Sequence, residues 1–184
     1  MYKEFSLAHT AFRKKRILLD ITICETLFST GMRISELCNL KISDVELYDA
    51  TIRIYGKGAK ERMIQIGNKD VLLIFEKYEA EYSSEINKSG YFFVNPNATQ
   101  LSDQAIRRMI KKYCSLASID LHITPHMFRH TFATSLLEAD VDIRYIQEML
   151  GHSSITVTEI YTHVALSKQK DILTTKHPRQ NFKI

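Results

Sequence analysis

Apolar residues recur at helical spacing along most of the chain. Between residues 11 and 28 they return every three or four positions, which predicts an amphipathic helix that ends before Gly31. A shorter helix is predicted over Ile34–Leu40, where the same spacing continues. The later segments with this period cover about residues 69–82, 102–116, 125–138 and 142–150, followed by a segment that contains Tyr161.

Strict alternation of apolar and polar residues occurs in one region only. Thr51–Tyr55 and Arg62–Ile66 alternate on either side of the glycine-containing turn 56–60, which predicts a β-hairpin. Ile52 and Ile54 should then share one face of the hairpin. The apolar run Tyr91–Val94 is predicted to add a third strand at the sheet edge, before a turn over 95–97. The predicted fold class is therefore mainly α with a small antiparallel β-sheet (α+β).

The length of 184 residues fits one compact domain. The longest apolar stretch, Ile17–Ile23, is far shorter than the roughly 20 residues of a membrane span, and the N-terminus lacks the pattern of a secretory signal. A soluble, cytoplasmic protein is expected. Cys24, Cys38 and Cys114 form no CxxC pair, so neither a disulfide framework nor a thiolate zinc site is expected.

Charge is distributed unevenly along the chain. The 25 Lys and Arg residues exceed the 21 Asp and Glu residues by only four, but the basic residues cluster at 13–16, 53–62, 107–112 and in the tail. Acidic residues concentrate in 36–49 and 70–85. One basic face could therefore meet a polyanion, although charge alone leaves an ordinary solvated surface equally open.

A helix start near residue 125 could bind an anion. Thr124 and Pro125 are residue types typical of a helix N-cap and first position, which places His126 and Arg129 on one side of the first turns. Unpaired N–H groups at a helix N-terminus favour phosphate. The alternative is that both side chains decorate an exposed turn. A metal is not expected at His126 and His130, because Met127 stands where a zinc protease has Glu.

Five local stretches together resemble one protein family. In chain order they read TGMRISEL, YGKGAKER, TPHMFRHTFATSLLE, IQEMLGHSS and IYTHV. They resemble the catalytic domain of tyrosine recombinases, the phage-integrase and Xer-type class, from about Lys14 to Val164. The resemblance implies the DNA breaking-rejoining fold and a site-specific recombinase or integrase. The residues that match catalytic positions of the family are Arg33, Lys57, His126, Arg129, His152 and Tyr161.

The resemblance implies a role for each of these side chains. The two arginines bind the non-bridging phosphate oxygens, and Tyr161 attacks phosphorus to form a 3′-phosphotyrosyl link. Lys57 protonates the departing 5′ oxygen, His126 manages the proton of the tyrosine, and His152 donates a hydrogen bond to the phosphate. The side chains supply the positive charge, so neither a metal, nor ATP, nor any other cofactor is expected.

Other charged residues are expected to support this chemistry. Glu36, three residues after Arg33, is interpreted as structural support that pairs with a basic group or orients that arginine. The residues expected to contact the DNA phosphate backbone are Arg53, Lys60, Arg62, Arg107, Arg108, Lys111 and Lys112.

The resemblance also predicts a domain organisation. Residues 1–165 would form the catalytic domain, and 166–184 an arm that is exchanged between protomers. The N-terminal core-binding domain of the family is expected to be absent, so we expect weak DNA binding and poor full recombination. The implied partner is double-stranded DNA, with a homotetramer on DNA and the state of the free chain left open.

Two other functions stay open from the sequence. A non-catalytic regulator is suggested by residues 132–150, whose two helical segments and short turn resemble a helix-turn-helix. That function leaves Arg33, Lys57 and Tyr161 unexplained. A relaxing topoisomerase would use the same phosphotyrosyl chemistry without a partner site.

Overall fold

The computed structural model describes residues 10–56 and 61–151, and this part of the chain contains six α-helices and a three-stranded sheet. The predicted mainly helical fold with a small antiparallel sheet is confirmed. In chain order the elements are α1 (Ala11–Thr30), α2 (Ile34–Asn39), a 3₁₀ turn (Ile42–Asp44), β1 (Val45–Glu46), β2 (Thr51–Tyr55), β3 (Glu61–Gln65), α3 (Lys69–Ser89), α4 (Asp103–Leu116), α5 (Pro125–Glu138) and α6 (Ile143–Leu150).

Local sequence explains where the long helices begin and end. α1 begins after Thr10, whose hydroxyl accepts a hydrogen bond from the Arg13 amide, and ends at Gly31 in the left-handed conformation. The end of α3 differs from the prediction by seven residues, because the helix continues from Tyr82 to Ser89. Fully buried Ile86 extends the apolar face past the polar pair 83–84, so packing overrides the local change in composition.

The hairpin has the predicted facing of its side chains. β2 pairs antiparallel with β3, with Ile52 opposite Ile64 and Ile54 opposite Arg62. Ile52 and Ile54 are buried, whereas Arg53 between them and Tyr55 after them are exposed. The turn residues 57–60 lie outside the described residues.

The predicted third strand at Tyr91–Val94 is wrong. The third strand is β1, which pairs with the other side of β2, whereas Tyr91 and Val94 form only isolated bridges to Lys41 and Gln100. Phe92 and Phe93 are fully buried, and both rings lie within 7 Å of Phe75. Since both sides of this segment are enclosed by apolar groups, its apolar run reflects burial and not membership of the sheet.

The helices around the candidate site pack through two apolar clusters. The larger one unites α1, α2, α3, α4 and the inner face of the sheet. The smaller one joins α5 to α6 through Ala133, Ile146 and Leu150, and Phe132 packs against both clusters. The C-terminal end of α6 is therefore held close to the end of α1.

Two further sequence expectations concern single features of the chain. Cys24, Cys38 and Cys114 are all free thiols. In the part of the chain that the structure describes, no helix is both long enough and apolar enough to cross a membrane. The predicted helix containing Tyr161 and the arm 166–184 lie outside that part.

Candidate active site

Three of the predicted catalytic side chains line one cleft. Arg33, His126 and Arg129 surround a space of about 490 Å³ between the start of α2 and the start of α5. Arg33 is more than 90 positions from the other two in the sequence. Folding therefore joins two motifs that the sequence keeps far apart. The other residues lining the cleft are Met32, Ile34, Ser35, Asp103, Arg107, Thr124 and Pro125.

Arg33 is held at the start of α2 by Glu36. The Arg33 amide donates to Glu36 Oε2 at 2.8 Å, and Arg33 Nη1 donates to Glu36 Oε1 at 2.8 Å. The Arg33 side chain is 39% exposed, so its guanidinium is fixed on one side and open to the cleft on the other. The interpretation of Glu36 as the partner that orients Arg33 fits this geometry.

Arg129 is almost completely buried, at 6% exposure. Its Nη1 donates to the carbonyl oxygen of Gly31 at 2.7 Å, and its Nη2 donates to that of Leu150 at 2.6 Å. A guanidinium held by two main-chain carbonyls keeps both its position and its plane. Because it lies in a low-dielectric surrounding, its positive charge acts more strongly on an anion in the cleft than it would in water.

His126 is the second residue of α5 and is exposed to the cleft. The helix begins at Pro125, as predicted, although the Thr124 hydroxyl makes no capping hydrogen bond. The first turn of α5 therefore presents an imidazole and main-chain N–H groups near the two arginines. Such a set of donors suits a phosphate group.

Glu36 carries the negative charge that pairs with the guanidinium groups of Arg33 and Arg62. Burial would raise the pKa of its carboxyl, but hydrogen bonds from the Arg62 side chain and the Arg33 amide, together with the charge of Arg62, outweigh burial and lower the pKa below its usual value. Glu36 is therefore ionised at neutral pH. An ionised Glu36 can accept from both guanidinium groups at once.

Arg62 does not have the surroundings expected of a phosphate contact. Its side chain is 8% exposed, and its Nη1 and Nη2 donate to Glu36 at 3.0 and 2.7 Å. Its Nε donates to the carbonyl oxygen of Met149 at 2.8 Å. The alternation of β3 already contained this information, because Arg62 lies two residues before buried Ile64 and thus on the same face.

The other basic residues predicted to contact DNA and described by the structure are exposed. Arg107 lines the active-site cleft and also a neighbouring cleft of about 560 Å³, which Arg108, Lys111 and His122 line as well. The two clefts adjoin each other, since Arg107, Thr124 and Pro125 line both. Arg53 is exposed on the outer face of the hairpin, and Lys112 is exposed on α4 with its ammonium 4.8 Å from the ring centre of Tyr113.

Several predicted residues cannot be placed, and one charged residue of the cleft was not predicted. Lys57, Lys60, His152 and Tyr161 lie outside the described residues. Asp103, the first residue of α4, lines the cleft, and its carboxylate acts on the Cys38 thiol. Burial, together with this carboxylate, raises the pKa of the Cys38 thiol. Across 10–56 and 61–151, no three His, Cys, Asp or Glu side chains are grouped to hold a metal ion.

Comparisons with known proteins agree on one family. The sequence profile of the phage integrase family matches residues 6–168. A protein of Agathobacter rectalis named tyrosine recombinase is 66% identical over 182 residues, which cover 99% of this chain and 60% of that protein. Tyrosine recombinase XerD of Staphylococcus haemolyticus is 40% identical over 163 residues, which cover 87% of this chain and 55% of XerD.

Solved structures agree with the sequence comparisons. The crystal structure of XerA recombinase superposes with a TM-score of 0.73 at 36% identity, covering 88% of this chain and 57% of XerA. XerH site-specific recombinase, in a pre-cleavage complex with its difH substrate, superposes with a TM-score of 0.69 at 29% identity, covering 92% of this chain and 49% of XerH. The chain thus spans about half the length of the relatives it matches.

Proposed function

The chain belongs to the phage integrase family, and from this premise we propose that it is the catalytic domain of a site-specific recombinase. It cuts and rejoins double-stranded DNA through a 3′-phosphotyrosyl intermediate. The observation that carries the proposal is the cleft in which Arg33, His126 and Arg129 meet. The relatives named tyrosine recombinases support DNA strand exchange over a non-catalytic helix-turn-helix regulator.

The two arginines neutralise the phosphate that reacts. A phosphodiester repels nucleophiles because its non-bridging oxygens are anionic, and negative charge grows on them as the nucleophile approaches phosphorus. Arg33 and Arg129 line the same cleft, Arg33 from the start of α2 and Arg129 from α5. Each is fixed by hydrogen bonds before substrate arrives, so little reorganisation is needed in the transition state.

Tyr161 is the proposed nucleophile. Its phenolic oxygen forms a bond to phosphorus as the bond from phosphorus to the 5′ oxygen breaks, and the 3′ end stays attached through the new phosphodiester. His126 takes the phenolic proton, and Lys57 gives a proton to the departing 5′ oxygen. His152 donates a hydrogen bond to the phosphate. A 5′ hydroxyl from another strand reverses these steps, so the exchange requires neither ATP nor a metal.

The exposed basic residues bind the rest of the duplex. We propose that Arg53, Arg107, Arg108, Lys111 and Lys112 contact backbone phosphates, since all five are exposed and four of them lie on α4 beside the cleft. Such contacts raise affinity without reading sequence. Lys60 belongs to this set by its place in the hairpin turn. Arg62 is left out of the set because its guanidinium is bonded inside the protein.

The domain and assembly assignments remain part of the same proposal. Residues 1–165 would act as the catalytic unit and 166–184 as an arm exchanged between protomers, with a homotetramer forming on DNA. The measurement that checks this is the mass of the chain with and without a duplex carrying two target sites. A DNA complex with four chains is expected, and a complex that never exceeds one chain per site would contradict it.

A trapped covalent complex tests the chemistry. The chain is incubated with DNA nicked near the cleavage site, so that a short 5′ product diffuses away and the phosphotyrosine accumulates. We expect a protein–DNA adduct that Tyr161→Phe abolishes. The matched control is Tyr145→Phe, because Tyr145 is 62% exposed on α6 and has no role in the proposal. An adduct that survives Tyr161→Phe would overturn the assignment of the nucleophile.

A further inference from the structure

We propose that Arg62 is a positioning residue of the recombinase reaction, acting through Glu36 and the end of α6. The inference rests on the proposed function and adds a residue to it. Its basis is one buried guanidinium that reaches two separate parts of the site, namely Glu36 on α2 and the Met149 carbonyl on α6.

Glu36 is shared by two arginines in a way that leaves it one orientation. Its Oε1 accepts from Arg33 Nη1 at 2.8 Å and from Arg62 Nη1 at 3.0 Å. Its Oε2 accepts from Arg62 Nη2 at 2.7 Å and from the Arg33 amide at 2.8 Å. Four donors occupy the roughly four acceptor positions of a carboxylate. Arg62 therefore fixes the carboxylate that in turn fixes Arg33.

Arg62 also holds the C-terminal end of α6. The last carbonyl groups of a helix lack partners within the helix and carry partial negative charge. Arg62 Nε donates to the Met149 carbonyl, and Arg129 Nη2 donates to the next carbonyl, that of Leu150. A Cβ atom placed on Gly151 would lie only 3.0 Å from Arg62 Nη1, so the guanidinium packs directly against the point where the chain leaves α6.

These contacts link the segments that carry the proposed catalytic residues. Arg33 is one hydrogen-bonded carboxylate away from Arg62. His152 follows Gly151 in the sequence, and Lys57 precedes Arg62 by five residues. An arginine suits this place because its planar group offers five N–H donors in fixed directions, whereas lysine offers one compact ammonium. Lysine cannot satisfy the carboxylate and the Met149 carbonyl with the same geometry.

Stability alone does not require an arginine at this position. Buried ion pairs can often be replaced by apolar residues of similar size without loss of stability, whereas removing one partner strands a buried charge. The double variant Arg62→Met with Glu36→Gln removes both charges. It separates a role in folding from a role in the reaction, because it restores the balance of buried charge without restoring the position of Arg33.

The kinetic test compares four variants with the original chain on the nicked DNA substrate in single-turnover reactions. Arg62→Met and the double variant are expected to lower the rate constant of adduct formation about 10- to 100-fold, as misplaced catalytic groups do, with DNA affinity unchanged. Arg62→Lys should fall between them and the original chain. The control is Lys15→Met, which breaks the part-buried 2.6 Å ion pair to Glu85 between α1 and α3; neither residue lines the cleft. A purely structural role would lower the reacting fraction and leave the rate constant unchanged, which would overturn the inference.

Amide hydrogen exchange gives a second readout that needs no activity. Exchange at the Arg33 amide, which donates to Glu36, and at the Gly151 amide, which donates to Glu148, should become faster in Arg62→Met and Arg62→Lys but not in Lys15→Met. Unchanged exchange at both amides in the Arg62 variants would overturn the inference, whatever the kinetics. If the original chain forms no adduct, the proposed function fails, and the exchange result still decides the positioning role.

Discussion

The carbonyl oxygen of Gly31 lies 2.7 Å from Nη1 of Arg129, across 98 positions of the sequence. The main chain at the end of α1 thus holds one of the two arginines of the cleft. Gly31 has a φ of +60°, and a Cβ atom there would lie 2.5 Å from Phe132 Cδ1 and 2.9 Å from Leu150 Cδ2. Neither the backbone nor the neighbouring side chains leave room for a larger residue.

Gly31→Ala should therefore destabilise the protein strongly. Left-handed backbone costs about 1–3 kcal/mol for a residue with a side chain, and overpacking costs about 1–3 kcal/mol more. We expect the free energy of unfolding in urea to fall by about 2–6 kcal/mol. Gly90→Ala is the control, because its φ is +73° but nothing lies within 4 Å of the added carbon. Equal losses in the two variants would show that the contacts with Phe132 and Leu150 carry no cost.

The salt dependence of DNA binding should report the basic face of α4. Each phosphate contact that is lost lowers the slope of log affinity against log salt by about 0.9. Lys111→Ala should show this change, since Lys111 is exposed and lines the cleft beside the active site. Lys77→Ala, exposed on α3, should leave the slope unchanged. An unaltered slope for Lys111→Ala would remove that residue from the DNA contacts.

Ionisation of Asp20 should lower the free energy of unfolding as the pH rises from acidic values. Burial raises the pKa of this carboxyl, against the opposing effects of the Tyr113 hydrogen bond and of Arg16. Because the folded pKa lies above the unfolded one, the stability contributed by protonated Asp20 is fully present below the usual pKa of 3.8 and is lost as pH rises through the folded value.

Asp20→Asn should remove this dependence. The amide oxygen can still accept the hydrogen bond from the Tyr113 hydroxyl, which is 2.9 Å from Asp20 Oδ2, while no buried charge forms. We expect the variant to match or exceed the stability of the original chain at neutral pH. Tyr113→Phe should have the opposite effect at that pH, because it removes a hydrogen bond to the charged form. Thermal unfolding at pH 3 to 8 measures both, and a neutral-pH stability of Asp20→Asn clearly below that of the original chain contradicts the prediction.

The Tyr78 hydroxyl should contribute to stability and not to cleavage. It donates to the Phe92 carbonyl at 3.0 Å and accepts from the Val94 amide at 3.3 Å, within fully buried surroundings. Tyr78→Phe leaves both main-chain groups without this partner, so the free energy of unfolding should fall by about 1–3 kcal/mol. Tyr82→Phe, which loses a single bond to the Lys15 carbonyl, should cost less. A change in the rate of adduct formation at full folding would contradict the prediction.

Much of the fold follows from periodicity in the sequence. The alternation around Ile52 and Ile54 gave the buried face of the hairpin, and the Thr124–Pro125 pair gave the start of α5 to the residue. Both are local patterns whose cause lies within a few residues. The segment Tyr91–Val94 could not be assigned in this way, because a short apolar run looks alike in a buried strand and in a buried loop.

The candidate site also contains residues that local motifs predict and contacts that only the fold creates. The motifs around Arg33 and Arg129 predicted two arginines at one phosphate, and the cleft contains both. The side-chain hydrogen bonds of Arg62 reach a carboxylate 26 positions earlier in the sequence and a carbonyl 87 positions later, so no local pattern specifies these partners. The alternation of β3 does place Arg62 on the inward face, beside buried Ile64. Counting basic residues along the chain ignores this information.

The two hydrogen bonds of Arg129 to main-chain carbonyls also determine how much of the chain must be synthesised before this side chain is fully held. They join residue 31 to residue 129 and residue 129 to residue 150, so the ribosome must have made nearly the whole described chain before the guanidinium has both of its carbonyl partners. A nascent chain that stops before α6 contains every residue that lines the cleft, but it lacks the Leu150 carbonyl that holds Arg129 Nη2. The Arg129 guanidinium is thus held on both sides only after translation has passed Leu150.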